Sequence, residues 1–481
     1  MAATDKAERA TRIEEHHIDF IPLDERHGTP SSLFYVWCAA NLVIGTIITG
    51  ALAVLVGNNL FWAVVSIVLG NLVGAVFMAY HSAQGPTLGV PQLIQSRGQF
   101  GFHGALLPVA LGIVLYVGFF AAGAIPAAQG LHDLSSSIST NEGIVIVGVP
   151  SLLLATVGYD LIHLWQRAGT YLFFAGFAIL TVAVFSHGGV SWTTSGFQGG
   201  PFLLSVSIIA VFQISYAPYV SDYSRYLPAD IGLSRPFWAT FIGTNTSSIW
   251  LMLIACMLTA QYTQLGTVDA MNAVIGGIAG KLVLLTVAFG IVGVNAMNLY
   301  GGMLSILTAL SSATHVKAGV AIRAASVLLI FVASMLLAIV GAGNFMTNYE
   351  NFLLLLLYLF IPWTAINLTD FYFVRKGRYD IEGFFDPHGV YYEDRRSWTR
   401  WGIAWKAMIA YAIGMAVQVP FMNTTYWVGW AVSHLGGADL AWVVGLPVSA
   451  LVYYALARDQ VVHAHGVEVA TPPPLDSPVS Q

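Results

Sequence analysis

The sequence predicts an all-α polytopic membrane protein with twelve transmembrane helices. Of its 481 residues, 57% are hydrophobic and only 9% are charged, whereas about a quarter of the residues in a soluble domain are charged. A spanning helix needs about 20 mostly apolar residues. Runs of this kind lie at residues 33–57, 60–82, 103–131, 143–162, 169–187, 201–220, 236–260, 280–302, 321–341, 351–371, 401–421 and 439–457.

The basic residues orient these spans. The first 30 residues are charged and lack the apolar stretch of a cleavable signal, so we expect a cytosolic N-terminus. If the segments between spans alternate between the two sides from a cytosolic N-terminus, all of the 19 Lys and Arg residues except Lys281 fall on the inner side. This asymmetry follows the positive-inside rule. It predicts a multi-pass protein of the cell membrane with both termini in the cytosol.

The sixth predicted span contains a break. Residues 215–228 read SYAPYVSDYSRYLP, so an apolar helix is interrupted at Pro218. Proline removes a backbone donor and clashes with the preceding turn, and hydrocarbon cannot satisfy the backbone groups that this frees. Two interrupted helices five spans apart predict inverted repeats of five helices, with the first and sixth crossing at the midplane. The matching small or polar residues of the first span are Asn41, Gly45, Thr46 and Gly50.

Polar stretches divide the chain into five parts. We expect a cytosolic tail, a core of two five-helix repeats, a cytosolic loop, two additional helices and a second cytosolic tail. Their predicted limits are residues 1–30, 31–375, 376–400, 401–458 and 459–481.

The charge pattern favours a neutral ligand inside the membrane. The centres of the predicted spans carry almost no Asp, Glu, Lys or Arg, and a charge at the bilayer centre costs roughly 3 kcal/mol or more. The net charge of −5 comes without a basic stripe, so we expect no nucleic-acid partner. The predicted partners are lipid and a small molecule held by stacking and amide hydrogen bonds, and the oligomeric state stays open.

Amide and aromatic side chains are the candidates for binding this ligand. Asn295 and Asn298 share one face of the eighth span, and an amide can both donate and accept, as the edge of a nucleobase or a cyclic ureide requires. The alternative is hydrogen bonding between helices. Gln213 and Ser215 directly precede the break. Stacking faces are offered by Phe119, Phe120 and Phe212, for which simple packing is the alternative.

The remaining polar residues predict structure instead of catalysis. Asp222 and Arg225 have the spacing of an ion pair at the inner end of the sixth span, and we expect a structural pair or a gate latch. Gly70 and Gly74 form a GxxxG pattern typical of close helix packing. The sequence contains no H-E-x-x-H, G-x-S-x-G or Walker A motif, which argues against a membrane enzyme or ATP-driven pump. We expect no catalytic residues, no metal site, and no cofactor beyond a coupling cation.

Four segments of the sequence resemble the nucleobase:cation symporter-1 family, in its purine-cytosine permease branch. They read GVPQLIQSR, APYVSDYSRYLP, NAMNLY and PWTAINLTD, beginning at residues 89, 217, 295 and 362. The resemblance covers nearly the whole chain. It implies a leucine-transporter-like fold of two inverted five-helix repeats plus two extra helices, and a substrate site between the first, third, sixth and eighth helices. The site positions that it implies are Asn41, Phe119, Phe212, Gln213, Ser215, Asn295 and Asn298.

The chain also departs from the family pattern. The tryptophans that sandwich substrate in the hydantoin-type branch are replaced by Phe119 and by Phe212 or Gln213, and a family glutamine aligns with Gly123. A hydantoin substrate is therefore disfavoured. Sodium-coupled members offer two hydroxyl residues on the eighth helix, where this chain has Gly293 and Val294.

The sequence thus predicts a secondary active transporter, not an enzyme, that imports cytosine or purines such as adenine, guanine or hypoxanthine by cation symport. Of the two ions we expect the proton over sodium. The alternative within the family is a sodium-coupled permease for uracil, allantoin or another cyclic ureide. Rivals from other classes are a membrane receptor and a channel, although polar groups that gather at a helix break do not form a continuous pore lining.

Overall fold

The computed structural model describes residues 18–157, 159–188, 191–313, 319–395 and 398–459. Most of the predicted N-terminal tail and nearly all of the predicted C-terminal tail lie outside the described residues. Within these residues the protein is mostly helical. Its two strands, β1 (Thr399–Arg400) and β2 (Ile403–Ala404), form a small antiparallel hairpin at the end of the predicted inner loop.

The helices follow each other along the chain as α1 (Pro30–Ala40), α2 (Ile44–Leu55), α3 (Leu60–Leu88), α4 (Gln92–Phe100), α5 (Leu106–Leu134), α6 (Thr140–Val157), α7 (Tyr159–His187), α8 (Gly199–Ile214), α9 (Val220–Ser224), α10 (Ser234–Gln261), α11 (Thr267–Ile275), α12 (Gly277–Ala313), α13 (Val320–Gly341), α14 (Phe345–Thr369), α15 (Trp405–Gln418) and α16 (Ala441–Ala457).

The helices confirm a multi-pass membrane protein. In the described part of the chain, eight helical segments are long and apolar enough to cross a membrane, or nine if α1 and α2 count as one bent span. The number twelve and the inverted repeat stay predictions. Two short helices, α4 and α11, lie outside the predicted spans, because nine residues are too few to cross a bilayer.

The two predicted breaks differ in shape. Between α1 and α2 the chain bends by 64°, at a point that the sequence marks only with small and polar residues. In the sixth span α8 ends at Ile214, and a 3-10 turn follows at Ala217–Tyr219. The next helix, α9, stays close to the direction of α8, so that Gly199–Ser224 forms one membrane-crossing segment. Proline fits this 3-10 turn at its start, where the missing N–H costs little.

Close contacts bring the interrupted helices together. The helix α3 packs along α8 and α10, and α10 also packs against α1 and α2. A Cβ atom at Gly74 would lie 2.9 Å from the Cα of Ala210, and one at Gly70 would lie 2.8 Å from the Cβ of Ile209. Gly70 and Gly74, which form the predicted GxxxG pattern, therefore lie at the contact between α3 and α8. On the other side of the molecule, α5 packs along α12.

A buried carboxylate anchors the C-terminal end of α14. Asp370 accepts hydrogen bonds from Arg375 Nε (3.1 Å), from the hydroxyl of Tyr379 (2.6 Å) and from the hydroxyl of Tyr453 (2.8 Å). A buried charge is tolerated only when it is paired and hydrogen-bonded in this way. The cluster joins α14, the inner loop and α16, so the last helix is tied to the core at this point.

Candidate substrate cavity

A cavity of about 890 Å³ lies between the two interrupted segments and the helices α5, α7, α12 and α14. Its walls are mostly aromatic and aliphatic. The charged side chains in the described lining are Asp222 and Arg225, which stand together at one end. The remaining lining is uncharged, as a site for a flat neutral ligand requires.

Aromatic rings from both interrupted segments meet in the cavity wall. The indole of Trp37 on α1 lies edge-on to Tyr216 and Tyr223, with ring centroids 5.7 and 5.2 Å apart, and is tilted against Tyr219 at 6.4 Å. Tyr116 on α5 packs on Tyr219 at 5.6 Å. Edge-to-face pairs of this kind stabilise aromatic clusters beyond their buried area. Trp37 and the tyrosines therefore join the first, third and sixth spans around the cavity.

Three of the predicted site residues line the cavity. Phe119 lies edge-on to Phe352 at 5.2 Å, and Phe212 lies edge-on to Tyr216 at 5.7 Å. Asn298 on α12 is the amide side chain of the described lining, and its Nδ2 is buried without a hydrogen-bond partner. A buried donor without a partner is costly, so this amide has unused capacity for a ligand acceptor.

Gln213 lies behind the wall, with its amide fully engaged by neighbouring helices. Its Nε2 donates to Asn71 Oδ1 (2.7 Å) and to Ser248 Oγ (2.6 Å), and its Oε1 accepts from Thr244 Oγ1 (2.6 Å). The two N–H groups of the amide are therefore used within the protein. In this conformation Gln213 connects the sixth span to α3 and α10.

Asn41 and Ser215 stabilise the two breaks. The side-chain amide of Asn41 donates to the backbone carbonyl of Trp37 (2.8 Å) and to Thr244 Oγ1 (2.9 Å). The backbone carbonyl of Asn41 accepts from Thr46 Oγ1 (2.7 Å). Ser215 Oγ donates to the carbonyl of Phe212 (2.7 Å). Backbone carbonyls near a helix break must find such partners in a membrane. These side chains supply them from just outside the cavity lining.

Asn295 lies one helical turn from Asn298 and deeper in the protein. Its Nδ2 donates to the carbonyl of Phe120 (3.2 Å), and its Oδ1 is buried without a partner. A Cβ atom at Gly123, which lines the cavity, would lie 3.2 Å from that oxygen. Because Gly123 has no side chain, the free acceptor of Asn295 lies directly behind the cavity wall.

Asp222 and Arg225 lie together at one end of the cavity lining. The Asp222 carboxylate accepts from the backbone N–H of Gln92 (2.8 Å), at the start of α4. The Arg225 guanidinium donates to the carbonyl of Asp19 (3.0 Å), to the hydroxyl of Tyr226 (3.2 Å) and to the carbonyl of Asp222 (3.4 Å). Both residues thus anchor surrounding segments, and their role as a gate latch stays a prediction.

The cavity is open on one side and packed on the other. Its rim includes Tyr35 on α1 and Tyr171 on α7, which are 69% and 77% exposed. On the opposite side, the hydroxyls of Thr49 and Tyr349 share a hydrogen bond of 2.8 Å that joins α2 to α14. Tyr35 and Tyr171 therefore mark where the lining reaches the protein surface, on α1 and α7.

Sequence reasoning missed Trp37, Tyr216 and Tyr219. Tryptophan and tyrosine are common in membrane proteins at the interfaces, so their presence alone gave no signal. Their position did carry one: Trp37 lies one turn before Asn41, and both tyrosines flank Pro218, so all three border a break.

Comparison with known proteins identifies the family. A family model described as a permease for cytosine/purines, uracil, thiamine and allantoin matches residues 20–445. YxlA of Bacillus subtilis, provisionally named a purine-cytosine permease, is 38% identical over 95% of this chain and 98% of its own. The purine-cytosine permease fcyB of Emericella nidulans is 27% identical over 92% of this chain and 88% of its own.

Solved structures share the fold. The transporter Mhp1 in its inward-facing conformation matches with a TM-score of 0.73 at 19% identity, covering 93% of this chain and 94% of Mhp1. Its closed conformation with bromovinylhydantoin bound, described as that of a nucleobase-cation-symport-1 family transporter, matches with a TM-score of 0.72. These relatives and neighbours are permeases and transporters, so the expectation that this protein is not an enzyme is confirmed. The resemblance inferred from the four sequence segments is also confirmed: the chain belongs to the family of permeases for cytosine/purines, uracil, thiamine and allantoin.

Proposed function

We propose that this permease imports a neutral nucleobase, cytosine or a purine, in symport with a proton. The observation that carries the proposal is the aromatic cavity between two interrupted helices, with Asn298 as its amide and charge only at one end. A flat ring with alternating donors and acceptors matches such walls, because stacking is worth about 1–3 kcal/mol per base. The names of YxlA and fcyB support the same substrate class.

The absence of a side chain at Gly123 leaves a hydrogen-bond acceptor next to the cavity wall. The family glutamine that aligns with Gly123 would place a side chain here. With glycine instead, a small movement of the wall would let a ligand in the cavity reach Asn295 Oδ1. A free acceptor favours a substrate that carries an N–H group on the facing edge. Cytosine and the purines carry such groups.

The coupling ion is proposed from the chemistry of the eighth span. A dehydrated sodium ion needs several oxygen ligands, as oxygen-binding cations generally do. At the positions where sodium-coupled members carry hydroxyls, α12 has Gly293 and Val294, and Val294 presents its aliphatic side chain to the cavity. The missing hydroxyls favour the proton as the coupling ion.

The conformation fits import into the cytosol. The cavity lining extends to Arg225 and Tyr226, at the end of the sixth span that the positive-inside rule assigns to the cytosol. We propose that both termini are cytosolic and that the structure represents the state that releases substrate. The Thr49–Tyr349 hydrogen bond then closes the outer side.

Competition uptake tests the substrate. Vesicles that contain the purified protein should take up labelled cytosine in a saturable manner, and unlabelled purines should compete at low concentration, because they present similar faces and edges to the cavity. Collapse of the proton gradient should stop accumulation. Saturable uptake of labelled uracil, allantoin or a hydantoin, without uptake of cytosine or competition by any purine, would instead select the alternative substrate class within the family.

Asn298→Ala is expected to weaken cytosine binding without affecting folding. Loss of the cavity amide should cost about 1–3 kcal/mol, or about 5- to 150-fold in Kd, measured by direct binding to the detergent-solubilised protein. The matched control is Asn348→Ala, a half-buried asparagine away from the cavity whose Nδ2 donates to the carbonyl of Gly341. Equal affinities for both variants and the wild type would remove Asn298 from the site.

A further inference from the structure

One histidine is buried within a membrane-spanning helix. His81 on α3 is 0% exposed, and it is the one buried histidine of the described chain. It lies seven residues before the end of the helix, or about 10 Å at 1.5 Å per residue. Histidine is the side chain whose ordinary pKa allows it to gain and lose a proton near neutral pH. His81 is not part of the described cavity lining.

The imidazole has one nitrogen paired and one free. Its Nδ1 lies 3.2 Å from Gln92 Nε2, while Nε2 is buried without a partner, and so is Oε1 of Gln92. The ring stacks on Trp363 of α14 with centroids 4.8 Å apart and planes 3° from parallel. If Gln92 donates to Nδ1, then Nε2 carries the ring proton and the imidazole is neutral.

The same histidine touches the interrupted sixth span. Ser221 Oγ on α9 donates to the His81 carbonyl at 2.8 Å. The backbone N–H of Gln92 donates to Asp222, whose side chain lines the end of the cavity. The imidazole, Gln92, Asp222 and the cavity therefore form one continuous set of contacts.

We propose that His81 is the site that binds and releases the coupling proton. This rests on the proposed proton symport and adds its binding site. The proton adds to the lone pair of an imidazole nitrogen from the outer solution and leaves the same nitrogen toward the cytosol, so that no other bond changes. Water must reach the ring both to load and to release the proton, and because His81 is 0% exposed in this conformation, both steps require α14, α4 or α9 to move away from it.

The groups around the ring favour the neutral imidazole in this conformation. Gln92 from α4 and Trp363 from α14 contact the ring, Ser221 from α9 contacts the backbone carbonyl of His81, and none of these side chains titrates near neutral pH. The charged group reached through these contacts is the Asp222 carboxylate, with Gln92 between. A buried imidazolium without a carboxylate partner is unfavourable, so the neutral ring matches the state whose cavity is open to the proposed cytosolic side.

Protonation of His81 also affects Asp222, the predicted gate residue, through Gln92. A protonated ring donates from both nitrogens, so Nδ1 can no longer accept from Gln92. The amide of Gln92 must then turn and present Oε1, the atom that lacks a partner in this structure. Because the backbone of Gln92 binds Asp222, this change acts on the inner end of the sixth span, where substrate leaves.

The test is transport by His81→Gln in reconstituted vesicles. With an imposed proton gradient, cytosine accumulation should fall to an inside-to-outside ratio of about 1, because coupling requires a linked protonation. Exchange of internal unlabelled for external labelled cytosine, which needs no net proton movement, should persist. The dependence of exchange KM on pH should disappear. His187→Gln, at an exposed histidine, is the matched control and should behave as the wild type.

A second variant, His81→Phe, tests the proposal if His81→Gln does not fold. If His81→Gln does not exchange substrate, His81→Phe keeps an aromatic ring against Trp363 and removes the titrating group, and it should exchange without accumulation. Proton-driven accumulation with wild-type pH dependence in either variant would overturn the assignment to His81. Accumulation by the wild type with a sodium gradient alone, and no response to pH, would instead overturn the proposed proton symport and this proposal with it.

Discussion

Replacement of Gln213 by alanine is expected to destabilise the protein, because this amide holds three helices together. The truncation leaves Asn71 Oδ1 without its partner and removes one hydrogen bond each from Thr244 Oγ1 and Ser248 Oγ. Each unsatisfied buried group costs about 1–3 kcal/mol, and no water is present in the hydrocarbon region to replace the lost bonds. We expect a lower midpoint of thermal unfolding in detergent and less protein in the membrane.

The control for this prediction is Gln198→Ala. Gln198 precedes α8 on the same span, is exposed and makes no side-chain capping bond, so its removal should leave the unfolding midpoint unchanged. The sequence predicts that Gln213 touches substrate. An alanine variant of wild-type stability with weakened cytosine binding would favour that prediction over the structural role.

Gly74→Ala is expected to prevent normal folding. The added methyl group would collide with the backbone carbonyl of Ala210 and lie 2.8 Å from the Cβ of Gln213. Backbone cannot move aside as a flexible side chain can, so α3 and α8 must separate. Overpacking of this kind costs about 1–3 kcal/mol or more, and the shift also strains the hydrogen bond between Asn71 and Gln213. Size-exclusion chromatography of the solubilised variant should show aggregation or a loss of monodisperse protein.

Gly343→Ala is the matched change for comparison. A Cβ atom at Gly343 meets no other atom within 4 Å, so this variant should purify as the wild type does. If Gly74→Ala also purified normally and transported substrate, the close α3–α8 contact would not be needed in the membrane, and the GxxxG pattern would have no packing role.

The multi-pass architecture was predictable because the bilayer imposes it. Apolar runs of about 20 residues and the inner bias of basic residues depend only on transfer free energies and on charge, which composition reports directly. Four family segments then identified the family. The short helix α4 was not predictable in this way, since its polar residues become buried only under the neighbouring segments.

The site was predicted less well than the family. Phe119, Phe212 and Asn298 lie in the cavity wall. The side chains of Gln213, Asn41 and Asn295 bond to other helices, and Ser215 bonds to the backbone of its own helix. An amide that binds substrate and one that joins helices have the same chemistry. Only their neighbours distinguish them, and these come from distant parts of the chain, as Thr244 and Asn71 do for Gln213.

Consecutive residues were enough to establish the membrane class and the family, because hydrophobicity, charge and local motifs are properties of the sequence. Tertiary structure alone decided where the chain bends most sharply, which aromatic rings meet around the cavity, and that His81 is buried against Trp363 and Gln92. Those features depend on which partners satisfy a polar group or cover a ring. In a membrane, where water cannot serve as that partner, contacts between distant helices make the choice.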